Sequence, residues 1–280
     1  MRDRKAGLIQ EVRVSRREHY KDSIETKYRP SYKKEVLIMD REVPKTVKMP
    51  TQCPFCGEMF DYTMYPEIHI PGDNKLKKKV LNKSLFFPTC PHCREEIKLK
   101  PRCMYINDTK REMFVVTDDP KETVFEALLM TGDIRFNNIH TDDDVVDFMK
   151  GLYKRRVVRD VDSFREKILL SDNNYDDRII ELMKLSLSEL IEKDSHTPVY
   201  RIFLEDSAGS QLEFTAIMGT RAPYEYITIK SAANVYNQYR DKYIKKLGRP
   251  EDDEYIATDQ KWAKNSGLLK DEDAGFVVPI

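Results

Sequence analysis

Four of the five cysteines stand in two pairs, Cys53-Pro54-Phe55-Cys56 and Cys90-Pro91-His92-Cys93. Two residues between the thiols let one tight turn carry both sulfurs toward a common point. Gly57 follows directly and can take the positive φ that such a turn often needs after its second cysteine. Two such turns facing each other supply four thiolates, the tetrahedral set that closed structural zinc sites use. Cys53, Cys56, Cys90 and Cys93 are therefore expected to bind one metal ion, with Zn2+ as the cofactor. The 33 residues between Cys56 and Cys90 exceed the roughly 15–20 of a zinc ribbon. An insertion between the knuckles of a zinc ribbon-like module accounts for the excess.

Two other chemistries use the same residues. Cys-Pro-Phe-Cys also serves dithiol oxidoreductases, in which a helix begins at the first cysteine and lowers its pKa. Here the motif leads into aromatic, strand-like sequence, and a second pair would be superfluous to that mechanism. Four buried free thiols would require no ligand at all. Cys103 stands alone in a strand-like stretch and reads as a small core residue. His92 lies within the second knuckle with its ring expected to point outward, and His69 is expected to face water or pair on a sheet. The acids Asp142, Asp143 and Asp144, like Asp176 and Asp177, are explained by helix N-termini, where the dipole favours negative charge.

The elements that must position the cysteines follow from pattern. Glu58 to Ile70 is aromatic and β-branched with Pro66 inside it, predicting two short strands or a bulged edge strand. Asp73 to Asn82 predicts a short amphipathic helix behind a cap-like Asp73. Ser84 to Thr89 is expected as a strand returning to the second pair. Lys98–Tyr105 and Met113–Thr117 are expected as strands around a turn at Asn107-Asp108. Residues 120–195 are expected to be mostly helical, with helices at Lys121–Met130, after Thr141, after Asp162 and from Asp176 to Lys193. The last carries Ile180, Met183, Leu187 and Leu190 as an apolar stripe widened by Ile179 and Leu182. Val199–Leu204 and Gln211–Met218 flank Asp206-Ser207-Ala208-Gly209, a hairpin signal. Tyr226–Ile229 gives a third strand, and a helix from Ser231 to Leu247 ends at Gly248. The fold class is α+β: a cysteine-rich β-module with an inserted helix, a helical segment, then a hairpin and closing helix. The expected divisions are a basic, partly disordered arm over 1–50, the cysteine module over 51–118, and a mixed segment over 119–280. That last segment is helical over 120–195, with the hairpin and helix over 197–250.

Charge is zero overall, with 48 Lys+Arg against 48 Asp+Glu, but it is unevenly spread. Residues 1–50 carry a net +6, residues 51–103 a net +3 and the remainder a net −9. The first fifty residues interleave Tyr20, Tyr28 and Tyr32 with Arg and Lys, as nucleic-acid binders do for stacking and phosphate contact. Solvated tails share that composition. The opening MRDRKAGLIQEVRVSRR has no apolar run behind its basic residues, so no secretory leader is expected. No stretch has the 18 or so apolar residues of a spanning helix. Five cysteines used in this way point to a reducing, cytoplasmic location and not to a disulfide framework.

Both Cys-Pro-x-Cys motifs, with SLFFPTCPHC leading into the second, resemble the CpXC domain. RRVVRDVDSFREKILLSDNNYDDRIIELMKLSL is similar to the part of these proteins where a Glu-Lys-Ile run precedes Asp-Asp-Arg and a long helix. The likeness covers about residues 51–193. It implies a metal-binding module in proteins of uncharacterised function and supplies no activity.

No nucleophile–base pair, phosphate loop or open metal site stands out. The first expectation is thus a non-enzymatic interaction or regulatory protein with an unidentified protein partner. A nucleic-acid binder using the basic front, with Lys75, Lys77, Lys78 and Lys79, is the second. An enzyme assembled from distant residues is the third.

Overall fold

The computed structural model describes residues 12–15, 46–99, 102–117, 153–207, 210–250 and 257–269. In chain order the elements begin with β1 (Val12–Ser15), β2 (Val47–Gln52), β3 (Met59–Met64), β4 (Glu67–Ile70) and α1 (Asn74–Leu81). There follow β5 (Cys103–Asn107), β6 (Glu112–Val116), β7 (Lys154–Val158), α2 (Val161–Asp172) and α3 (Asp177–Ser195). β8 (Val199–Asp206), β9 (Gln211–Met218), β10 (Glu225–Ala232), α4 (Ala233–Leu247) and α5 (Gln260–Asn265) complete them. The architecture is α+β, as expected. The described residues divide into two compact units, and the division falls inside α2, between Phe164 and Arg165.

The cysteine unit contains two sheets. β2 and β3 form an antiparallel hairpin in which Gln52 faces Met59, so the first cysteine pair occupies its loop. The second sheet runs β4-β5-β6-β7. Its central pair is antiparallel, and both outer pairs are parallel. Tyr105 stacks on Phe114 at 5.6 Å between ring centroids, and Phe164 of α2 meets Tyr105 edge-on. Phe86 in turn packs edge-on against Phe164, so α2 begins on the apolar face of this sheet. Lys83 pairs with Asp162 at 2.7 Å on the same side.

Several expectations are corrected here. Ser84 to Thr89 is not a strand: the N–H of Leu85 returns to the carbonyl of Lys79 and that of Phe86 to Lys83. These donors serve the last turn of α1 and the residues after it, where carbonyls lack helical partners. Asp73 does not cap α1 by its side chain; its Oδ2 accepts from the backbone N–H of His69 at 3.0 Å. Lys154–Val158 is a strand inside the stretch expected to be helical, and all five of its residues are buried. Three charged residues at buried positions hid the strand period. The helices expected at Lys121–Met130 and after Thr141, with Asp142, Asp143 and Asp144, lie outside the described residues.

The second unit is the antiparallel sheet β1-β10-β9-β8. Ile180, Met183 and Leu187 of α3 share one apolar core with Ile202, Leu204, Phe214, Ala216 and Ile229 of the sheet. Val235, Tyr236, Tyr239 and Tyr243 of α4 complete it. β9 alternates half-buried and buried positions along its length, the period-two pattern of a strand with one face on the core. α5 starts at Asp259, whose side chain accepts from the N–H of Trp262 at 2.8 Å.

Candidate metal centre

The two cysteine pairs build the same turn twice. In the first, the N–H of Cys53 donates to Glu58 and the N–H of Gly57 to Cys53, both at 2.9 Å. In the second, the N–H of Cys90 donates to Glu95 at 2.9 Å and that of Arg94 to Cys90 at 3.0 Å. Each loop closes between facing residues at the same offset, Gln52 with Met59 and Thr89 with Glu96. The residue after each second cysteine takes a left-handed conformation, Gly57 at φ 78° and Arg94 at φ 64°. Glycine takes it without steric cost, whereas arginine does not, so the second knuckle is held against a local preference.

All four Sγ atoms lie within 4.8 Å of one another, a group able to hold a metal ion. Cys53 Sγ is 3.6 Å from Cys93 Sγ, and Cys56 Sγ is 3.8 Å from Cys90 Sγ. A regular tetrahedron of thiolates about 2.3 Å from a central ion has edges of ~3.8 Å. The sulfurs therefore fit a closed four-coordinate site. Cys53 and Cys90 are buried, Cys93 is half-buried and Cys56 is exposed. Around them the apolar packing is sparse: Ile97 is buried with the two inner cysteines, and Phe60 and Leu99 lean on them.

Backbone dipoles prepare the inner thiols for ligation. Burial pushes Cys53 up, but the N–H groups of Cys56 and Phe55 outweigh it and bring the thiol down to about 7. Cys90 is lowered in the same way, against burial, by the N–H groups of Cys93 and His92. The outer thiols move the other way. The N–H of Glu95 favours the Cys93 thiolate, yet burial and the neighbouring sulfurs drive it up to about 12. Cys56 is raised despite the N–H of Glu58, by burial and by Cys53. The shifts thus favour the thiolate at one cysteine of each knuckle, and a dication among the four sulfurs would favour it at the other two. No helix starts at Cys53; a hairpin turn does, so the helix dipole that redox cysteine pairs use is missing here.

The remaining candidates are not brought to the cluster. Cys103 is buried in β5, where burial and Glu67 push its thiol up and its Sγ donates to the carbonyl of Met104. His92 is exposed within the second knuckle. His69 pairs with Glu67 at 2.7 Å on β4. Lys75, Lys78 and Lys79 are exposed on α1, while Lys77 is half-buried. An open groove of about 590 Å³ runs beside the knuckles, lined among others by Phe60, Tyr62, Tyr65, Lys79 and Pro91. Among the described residues no helix is long and apolar enough to cross a membrane.

A second polar constellation was missed by sequence reasoning. Asp177, explained in advance as helix N-terminal charge, is fully buried and lies 3.0 Å from Lys167 Nζ. Glu166, Lys167, Asp177, Glu181 and Lys184 all come from the Glu-Lys-Ile and Asp-Asp-Arg stretches, and all are buried in the second unit. A signal was present: charges occupy positions 177, 181 and 184 of α3, at i, i+4 and i+7, which places them on one helix face.

No curated protein matches the chain, and no solved structure does either. Residues 51–184, which hold both knuckles and the acid-and-lysine stretches, match the family described as CpXC protein.

Proposed function

We propose that the four thiolates hold one zinc ion as a structural staple in a cytoplasmic, non-enzymatic interaction or regulatory protein. The observation that carries this reading is the approach of four sulfurs from two matching knuckles to within 4.8 Å. Thiolates favour zinc among the common structural metals, and four of them leave no open position for a substrate or water. The scant apolar packing around Cys53 and Cys90 supports a staple role, since metal ligation then supplies much of the local folding free energy. A protein partner fits a module whose chemistry is closed. Elemental analysis of the purified protein with thiol titration tests the metal assignment. One zinc per chain is expected, with four thiols that react only after chelation. Metal-free protein with four freely reactive thiols would overturn it.

A second reading, binding of single-stranded nucleic acid, is favoured by the exposed Lys75, Lys78 and Lys79 on α1 and by the net +6 of residues 1–50. Each phosphate neutralised releases counterions, so affinity would fall steeply with salt. The joint substitution Lys75→Glu, Lys78→Glu and Lys79→Glu is expected to flatten the salt dependence by about 0.7 in slope per lysine engaged on a single strand. Absence of binding by the unsubstituted protein at low salt removes this reading.

A further inference from the structure

Among the described residues, one buried network of the second unit holds more carboxylates than cations. Glu166 and Lys167 of α2 meet Asp177, Glu181 and Lys184 of α3, three carboxylates against two ammonium groups. Lys184 Nζ donates to both oxygens of Glu166, at 3.2 and 3.0 Å, and to Glu181 Oε1 at 2.9 Å. Lys167 Nζ lies 3.0 Å from Asp177 Oδ2 and 3.5 Å from Glu181 Oε1, and donates to the carbonyl of Thr258 at 2.7 Å. From β8, the N–H of Leu204 donates to Glu166 Oε1 at 2.7 Å. Gln260 reaches the carbonyl of Lys184 and the hydroxyl of Ser188, and brings no charge.

The neighbouring ion pairs leave the excess unchanged. Arg178 pairs with Asp176 and also donates to the carbonyls of Leu247 and Gly248. Arg165 pairs with Glu205 at the margin. Each adds one charge of either sign. Within the network, Glu181 Oε2 is buried and has no hydrogen-bond partner among the described residues. A third carboxylate that must share its two ammonium groups with Glu166 and Asp177 in that buried position costs more ionised than the same group carrying a proton.

We propose that Glu181 binds a proton in the folded protein, so that the network is a proton site closing its own charge balance. The proton comes from solvent and rests on the carboxyl of Glu181, leaving Glu166 and Asp177 as the counterions of Lys184 and Lys167. Burial raises Glu181 in agreement with this; Lys184 and Lys167 oppose the shift, and Glu166 adds to it. The folded state then holds the proton more tightly than the unfolded chain. This contribution to stability is complete below the unfolded value of about 4.3 and is lost as pH rises through the folded one. Proton loss leaves one carboxylate in excess between α2 and α3, which biases that helix pair toward opening.

Infrared spectroscopy of full-length protein carrying isotope-labelled glutamate tests the proposal at neutral pH. A carbonyl band of one protonated, buried carboxyl is expected, and it should vanish in Glu181→Gln. The decline of urea stability with rising pH should flatten in the same variant, since glutamine mimics the protonated acid. Should Glu181→Gln fail to fold, Asp177→Asn gives an independent check. With that carboxylate gone, Glu181 can ionise against the two lysines, and the band should again be lost. Fully ionised glutamates at neutral pH in the unsubstituted protein, or a band that survives Glu181→Gln, would overturn the assignment.

Discussion

Replacing Cys90 by serine is expected to release the metal and unfold the turns and strands around both knuckles. Cys90 is fully buried in the cluster, and its sulfur lies 3.8 Å from that of Cys56. Loss of a group that merely supports a ligand typically weakens metal binding about 10–100-fold, and loss of a ligand lies beyond that range. Among the described residues, the apolar cluster between the hairpin of β2 and β3 and the second knuckle rests on Cys53, Cys90 and Ile97, so losing the metal removes much of what joins them. Cys103→Ser provides the contrast. Its thiol sits in β5, away from the cluster, and the change should cost about 1 kcal/mol with metal retained. Chelator competition and hydrogen exchange over residues 46–99 check both variants. Comparable loss of metal and protection in the two would make Cys103 a ligand and dismantle the four-sulfur site.

The legibility of this site has a local cause. A knuckle is set by a few adjacent residues: two cysteines at fixed spacing, and a following position able to take positive φ. The first pair announces itself through Gly57. The second hides the same device under Arg94, which gave no sign of a left-handed turn. α1, both segments around Pro66 and the strands β8, β9 and β10 were readable for a related reason, since each shows its own period of apolar residues, whereas β1 lies in the stretch expected as an arm. β7 was not readable. Its Lys154, Arg155 and Arg156 are buried with the two valines, so burial there is decided by tertiary surroundings and not by residue type. Likewise Ser84–Thr89 has strand-like composition, but its donors are claimed by the end of α1. Such competition is invisible in composition alone.

The buried acids and lysines show the same limit from the other side. Asp177, Glu181 and Lys184 share α3 with the apolar stripe of Ile180, Met183 and Leu187, and burial extends over both sets. Periodicity marked the apolar stripe as core and left the charged one to solvent, because charged side chains are rarely fully buried unless paired. The pairing depends on α2 arriving alongside, a contact between Glu166 and Lys184 that spans eighteen residues. Nothing in a window of one helical turn encodes it.

Lys184→Met is therefore expected to be among the most damaging single substitutions in the second unit. The ammonium group bonds both oxygens of Glu166 and one of Glu181 in a fully buried setting. Burial alone would lower the Lys184 pKa, but the Glu166 carboxylate foremost, and the hydrogen bond to Glu181, reverse this and raise it, so the lysine is charged at neutral pH. Removing it strands Glu166, and breaking one side of a buried pair typically costs about 3–5 kcal/mol. Because the folded pKa is raised, the stabilisation is fully present below the unfolded value of about 10.4 and is lost only as pH rises through the folded one. The gap between variant and parent should accordingly be complete at neutral pH. Urea unfolding followed by the fluorescence of Trp262, the one tryptophan of the chain, reads this directly, since its ring packs against the same core. Adding Glu166→Gln to Lys184→Met should restore part of the loss: the bare charge disappears, while an amide oxygen can still accept from the N–H of Leu204. Costs that simply add in the double variant would mean that the two side chains are not coupled, and that the core around Ile180 and Leu204 holds α2 against α3 without them.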